Sequence, residues 1–208
     1  MPVEKVEISV TTQSQVMKYG ALPQPVLPKI TMNGTPVPAP AKAPSNVVGW
    51  QLLLIDSRKD IKNPANFLLN EYLSLRSKDN LWSSTYHAMY DDVFGGMFRD
   101  IYVSGNVNSQ IAIVASFGLD NNMPPTPDIL PVLLELGAGG ALQYWETHSN
   151  PGSEVGSSNA YVSFPANYVL LGYSAWSYGQ GYEKYDYVVG QQQITTTVTG
   201  TFTNIVPA

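Results

Sequence analysis

Two histidines, His87 and His148, are the only imidazoles in a chain of 208 residues that contains no cysteine. Acid–base, nucleophilic or metal chemistry must therefore be assembled from these two side chains together with carboxylates and hydroxyls. His148 closes the triplet Glu146-Thr147-His148, with Asp120, Asp128 and Glu154 on neighbouring polar stretches. On a β-strand a spacing of two places Glu146 and His148 on one face, where they form a carboxylate–imidazole pair or, with Asp120, ligate one metal ion. The plainer reading is a loop histidine with ordinary hydrogen bonds. His87 and Asp91 stand four apart in a helix-like stretch and repeat the pattern. The adjacent Asp91 and Asp92 diverge by about 100° around a helix and read as a solvated face rather than a dyad. No catalytic residue is assigned, and the candidate metal ligands are Asp120, Glu146 and His148.

The motifs that carry nucleotide, zinc, EF-hand calcium or nucleophile-elbow chemistry are missing from the sequence. Gly137-Ala138-Gly139-Gly140 is the nearest approach to a phosphate cradle, but Leu142 stands where a dinucleotide fingerprint needs glycine, so the run reads as a turn. Asp120-Asn121-Asn122, and Asp56 with Asp60, have calcium-type oxygens without a calcium-loop spacing. Asn33-Gly34-Thr35 fits a glycosylation sequon and reads as a turn. No cofactor is expected.

Aromatic side chains carry the alternative. Eight of the thirteen tyrosines and two of the four tryptophans fall between Tyr144 and Tyr187, in a stretch broken by Gly, Ser and Asn. Rings at that density either fill a sheet core with wet hydroxyls at its rim or present amphipathic faces to a ligand. Around Tyr173, Trp176, Tyr178, Gln180, Tyr182 and Tyr185 the glycines predict loop tips, where rings beside amides suit stacking on sugars or insertion at lipid headgroups. These six are the candidate ligand-binding residues. The expected function is a non-enzymatic, β-rich recognition protein, toxin-like or lectin-like, that binds a glycan or membrane surface. The alternatives are a structural, self-assembling protein with aromatic homo-oligomer interfaces, and a hydrolase using Glu146 and His148.

Composition narrows the partners. Only 13% of residues are charged and the net charge is −5. The eleven basic residues never cluster, which excludes the electrostatic footprint of a nucleic-acid binder. The longest apolar run, Val47 to Ile55, is far shorter than the ~20 residues of a membrane-spanning helix, and Met1 to Lys5 does not open a signal-peptide pattern. The expectation is a soluble protein without a transmembrane segment, cytoplasmic or released non-classically. A cysteine-free chain is compatible with any redox compartment.

The elements that would position these residues read as mainly β with one or two helices, an antiparallel β-sandwich-like α+β fold. Residues 1–22 hold an N-terminal strand with Val6, Ile8 and Val10 on one side, and 23–46 a proline-rich arm or linker with seven prolines between Pro23 and Pro44. Residues 47–208 then form one β-rich domain. Its first strand ends at Asp56. Asn63 as cap, Pro64 and the stripe Leu68, Leu69, Tyr72, Leu75 predict a helix over 63–78, and Trp82, Tyr86, Met89 and Val93 a second over 81–94, both packed on one side. Met97 to Val103 and Ile111 to Phe117 read as a hairpin, and Leu130 to Leu136 and Ala141 to Trp145 as strands flanking the glycines. Further strands are expected at 160–164, 168–175 and 185–189. From Ile194 onward, Thr195, Thr197, Thr199, Thr201 and Thr203 share the face opposite Ile194, Thr196, Val198 and Phe202, with Gly200 as a bulge or point of close approach.

Overall fold

A computed structural model describes residues 3–15, 26–44, 48–74, 109–119, 130–148, 164–174 and 176–205. Two antiparallel sheets pack face to face, and a helical layer covers the outer face of one of them. The first sheet has the order β3-β2-β1-β9, from β1 (Val3–Gln15), β2 (Lys29–Met32), β3 (Thr35–Pro36) and β9 (Gln193–Ile205). The second runs β5-β4-β6-β7-β8, from β4 (Gly49–Asp56), β5 (Phe67–Ser74), β6 (Gln110–Phe117), β7 (Ala166–Tyr173) and β8 (Tyr182–Tyr187).

Two hydrophobic layers follow from the strand period of two. In β1, Val6, Ile8 and Val10 point inward as their alternation predicts, and with Val198 and Phe202 of β9 they meet Leu53, Ile55, Ile111, Ile113, Val169 and Leu171. The central strands β4 and β6 are buried on both faces and therefore read as continuous apolar runs rather than alternating ones. Their other face, through Trp50, Leu52, Leu54, Ala112 and Val114, packs under the helices α1 (Leu130–Glu135) and α2 (Gly140–His148). A polar clamp ties the sheets together at one end: the buried Asn167 amide donates to Ile194 O at 3.1 Å and Thr196 Oγ1 at 3.2 Å.

The helix expected over 63–78 is corrected. Asn63 does cap a helical turn, accepting from Ala65 N–H at 3.0 Å, but the turn is a 3-10 segment of three residues, and Phe67–Ser74 is strand β5, hydrogen-bonded to β4. A spacing of four satisfies both a helix and a strand, and Leu69 and Leu73 bury one face of β5 at that spacing. The second expected helix, 81–94, lies outside the described residues, as does Met97 to Val103. The two segments read as strands beside the glycines, 130–136 and 141–145, are helices instead. Inside the proline-rich stretch, β2 and β3 form a hairpin around Asn33 and Gly34, whose φ angles of 48° and 76° suit a tight two-residue turn.

The end of β4 carries a paired carboxylate. Asp56 is 3% exposed and accepts from Arg58 Nε at 2.8 Å and Nη2 at 2.9 Å. That hydrogen-bonded guanidinium holds its carboxyl below the usual value. Asp60, the other half of the candidate calcium pair, accepts from Lys62 N–H at 3.0 Å.

Glycine sets the spacing between sheet and helices. A Cβ on Gly172 of β7 would lie 2.2 Å from the carbonyl oxygen of Leu136, a backbone atom that cannot swing away. Gly172→Ala should therefore lower the unfolding free energy by about 1–3 kcal/mol through overpacking. Gly140→Ala, with open space around its Cβ, should cost nothing measurable. Urea unfolding of the two variants, read as midpoint shifts at constant slope, checks both.

Candidate functional site

The six candidate binding residues do not form one surface, because the alternation of β8 divides them. Tyr182 and Tyr185 are three apart, an odd number, so their rings emerge on opposite faces of the strand. Tyr182 turns toward the first sheet and Tyr185 toward the helices.

On the first side, Trp176 stacks on Phe202 with centroids 5.5 Å apart and planes at 17°. Tyr182 meets both rings edge-on, at 5.8 and 5.9 Å, and Tyr173 lies 6.0 Å from Trp176. Tyr182 covers Gly200, where any Cβ would sit 2.3 Å from its ring. Gly200 is thus the expected point of close approach, and the register of β9 against β1 runs through it without a bulge. Tyr173 shares a hydrogen bond of 3.0 Å with Ser57 Oγ. These rings close the inter-sheet core: Trp176 and Tyr173 are half-buried, and Tyr182 is 37% exposed. Gln180 is occupied locally, accepting from Ser177 N–H at 2.7 Å.

On the helix side, Tyr185 stacks on Trp145 of α2 at 4.8 Å and 13°. Trp145 continues inward to Tyr168 and Trp50, at 5.5 and 6.0 Å, so the stack is rooted in the core. Outward, Tyr144 and Tyr187 lie 6.4 and 5.6 Å from Tyr185. Tyr178, 57% exposed, donates its hydroxyl to Gln143 Oε1 at 3.0 Å, and the next residue on α2, Tyr144, is 44% exposed. One exposed ring is thus fixed on a side-chain amide, and a second exposed ring, about 100° further round the same helix, leans on Tyr185.

One carboxylate sets this arrangement. Glu183 of β8 accepts from the N–H groups of Gly139 at 2.9 Å, Ala141 at 3.2 Å and Leu142 at 2.9 Å, and from the Tyr168 hydroxyl at 2.7 Å. It fills the N-terminus of α2, where unpaired amides and the helix dipole favour negative charge. The glycine run that resembled a phosphate cradle does bind an anion, and the anion is a side chain of this chain. The run also packs backbone to backbone on the aromatic loop: Gly179 N–H donates to Ala138 O at 3.0 Å and Gly181 N–H to Gly137 O at 2.8 Å.

Of the remaining candidates, Glu146 and His148 fall on α2 rather than on a strand, and helix positions two apart differ by about 200° around the axis. Asp120 and His87 lie outside the described residues. Among the described residues no group of three His, Asp or Glu side chains could hold a metal ion, and no helix is long and apolar enough to cross a membrane. The sequence reading missed Glu183, Gln143 and Tyr144 as site-forming residues. The available signal was an acidic residue among tyrosines just after Gly179 and Gly181.

Replacing Glu183 by Gln should destabilise the protein by about 2 kcal/mol, since hydrogen bonds to a charged group contribute roughly 1.5–3 kcal/mol and the amide turns a donor toward donors. The Ala variant should lose more, and near-ultraviolet circular dichroism should report loosening of the Trp145–Tyr185 stack. Burial, reinforced by the Glu183 charge, pushes the Tyr168 phenol well above its ordinary value near 10. The neutral phenol is thus favoured in the folded state, so its contribution is complete below pH 10 and lost as the pH rises further. Wild-type stability should fall faster above pH 10 than that of Tyr168→Phe, as measured by denaturant titration across pH 8–11.5.

No protein-family model matches the chain, and no curated protein matches it.

Proposed function

We propose that the protein is a non-enzymatic recognition module that binds a glycan through the aromatic row on the helix side of β8: Tyr144, Tyr178, Tyr185 and Tyr187, with Gln143 among them. The observation that carries the reading is the exposed Tyr178 ring, fixed through its hydroxyl on the Gln143 amide, with a second exposed ring, Tyr144, on the same helix. Flat amphipathic rings stack on the apolar faces of sugars, and neighbouring amides and hydroxyls exchange hydrogen bonds with sugar hydroxyls. A ring anchored before binding loses little conformational freedom on contact, which favours affinity.

Charge favours a glycan over a lipid surface. Lys184, the basic residue of β8, is engaged with Asp186 at 2.8 Å, and the chain carries a net charge of −5. Adhesion to an anionic leaflet draws on clusters of unpaired Lys and Arg. Trp176, Tyr173 and Tyr182 pack around Phe202 on the opposite face of β8 and are read as packing rather than contact.

A glycan array followed by calorimetric titration with the best ligand tests this. Tyr178→Ala and Tyr144→Ala should each weaken binding about five- to tenfold, on the order of 1–1.4 kcal/mol, with unchanged melting. Trp176→Ala should instead lower stability. Unchanged affinity in both tyrosine variants, or binding to phosphatidylcholine or phosphatidylserine vesicles with none to any glycan, would overturn the reading.

A further inference from the structure

Strand β9 ends the four-stranded sheet, and among the described residues only β1 pairs with it. An antiparallel ladder alternates bonded and non-bonded pairs, so one residue in two turns its backbone groups away from the partner. Glu7, opposite Thr201, donates its N–H to Asn33 Oδ1 and accepts at its carbonyl from Asn33 N–H, both at 2.8 Å, on the far side of β1. Thr201 therefore points its own N–H and C=O outward. The same parity turns Thr195, Thr197, Thr199 and Thr203 outward, and the side chains of all five are exposed. Tyr182 confirms the direction by donating its hydroxyl to the Thr201 carbonyl at 3.3 Å.

Proteins guard such an edge with charges, proline, bulges or brevity. β9 has none of these: its thirteen residues include no charged side chain and no proline, and its register against β1 is unbroken. The other edges among the described residues are guarded. β3 is two residues long and ends in Pro36. β8 carries Glu183, Lys184 and Asp186 in six residues. β5 has an irregular register near Leu54, and its Asn70 amide donates to Pro38 O at 2.9 Å.

We propose that β9 is a self-association edge, through which two copies of the chain pair antiparallel across a two-fold axis at Thr199. A second copy fits this edge because the strand is complementary to itself. Centred on Thr199, the register sets Thr195 opposite Thr203, Thr197 opposite Thr201 and Thr199 opposite its own copy, so each outward pair is threonine on threonine. Threonine pairs favour cross-strand contact, and the absence of charge removes like-charge repulsion. Five pairs exchanging two bonds each make about ten hydrogen bonds, the number a standard interface carries. The Thr201 carbonyl keeps a second lone pair for its partner while holding Tyr182. Among the described residues β9 is the one unguarded edge, and a two-fold pairing through it closes at two copies.

Sedimentation velocity of the full chain across a wide concentration range tests the proposal. The wild type should show a monomer–dimer equilibrium without larger species. Thr199→Lys, which sets two ammonium groups opposite each other at the axis, should weaken association about tenfold or more, and an equimolar mixture with Thr199→Glu should restore it. Thr199→Pro removes an N–H that faces outward, so it should leave a folded monomer with a near-wild-type melt. If the proline variant fails to fold, the Lys and Glu pair decides. A wild type that is monomeric throughout, a dimer indifferent to Thr199→Lys, or a Lys and Glu mixture that does not re-associate would overturn the proposal.

Discussion

The carboxylate of Glu183 at the N-terminus of α2 is the interaction on which the arrangement of the helix side depends. Four donors converge on it, one from the α1–α2 turn at Gly139, two from the first turn of α2 at Ala141 and Leu142, and one from the buried Tyr168. A carboxylate half-removed from water needs that many partners, and the first amides of a helix need an acceptor. Each requirement is met by the other, which fastens an edge strand to a helix. Tyr185, two residues further along β8, is then brought onto Trp145, and Gln143 and Tyr144 follow on the same helical turns. The aromatic row is thus the outer rim of a stack that begins at Trp50 in the core.

Glycine makes that fastening possible. The α1–α2 turn approaches the loop before β8 closely enough for direct backbone hydrogen bonds, and Cβ atoms on Gly137, Gly139 or Gly181 would lie 2.7–2.8 Å from opposing backbone atoms. Gly137 also has φ near 94°, a region that disfavours other residues. Two segments distant in sequence therefore meet backbone to backbone: Gly137, Gly139 and Gly181 leave room for the contact, and Gly179 supplies a φ of 73° with open space at its Cβ position. This is why the aromatic stretch is interrupted by glycine at 179 and 181 without being a free loop tip.

Much of the sandwich was legible because its signals are of period two or continuously apolar. β1, β4, β6 and β9 carry alternation or unbroken apolar runs, and the opposite faces of Thr195 and Thr196 follow directly from that parity. The helices were not legible. Asn63 and Pro64 are a valid helix start, but backbone pairing with β4 outweighs propensity after one turn, since Leu69 and Leu73 satisfy a strand as well as a helix. Segments 130–135 and 140–148 were too short and apolar for their period to distinguish helix from strand, and α2 depends on a cap supplied from β8, a contact no local window contains. The tyrosines resisted sequence reading for a related reason. Both readings of that stretch hold, core filling at Trp176 and Tyr168 and exposure at Tyr178 and Tyr144, and which applies is decided by strand parity and helix phase.

Parity also governs how a β9-paired assembly would present the aromatic row. In an antiparallel pair, residues directly opposite each other point to the same face. The two-fold axis through Thr199 therefore stands perpendicular to the joined sheet, and both five-stranded sheets lie on its same side. Each α2 layer would be outermost on that side, so two copies of Tyr144, Gln143 and Tyr178 would face one direction. A repetitive glycan surface would then be engaged at two points by one body. Linking two weak sites raises overall affinity by about 10²–10⁴ without any new contact, provided that the spacing matches. An unguarded edge is ordinarily a liability for a low-charge sheet protein. Used once, in the proposed register of threonine on threonine, it would give the proposed recognition surface a valency of two.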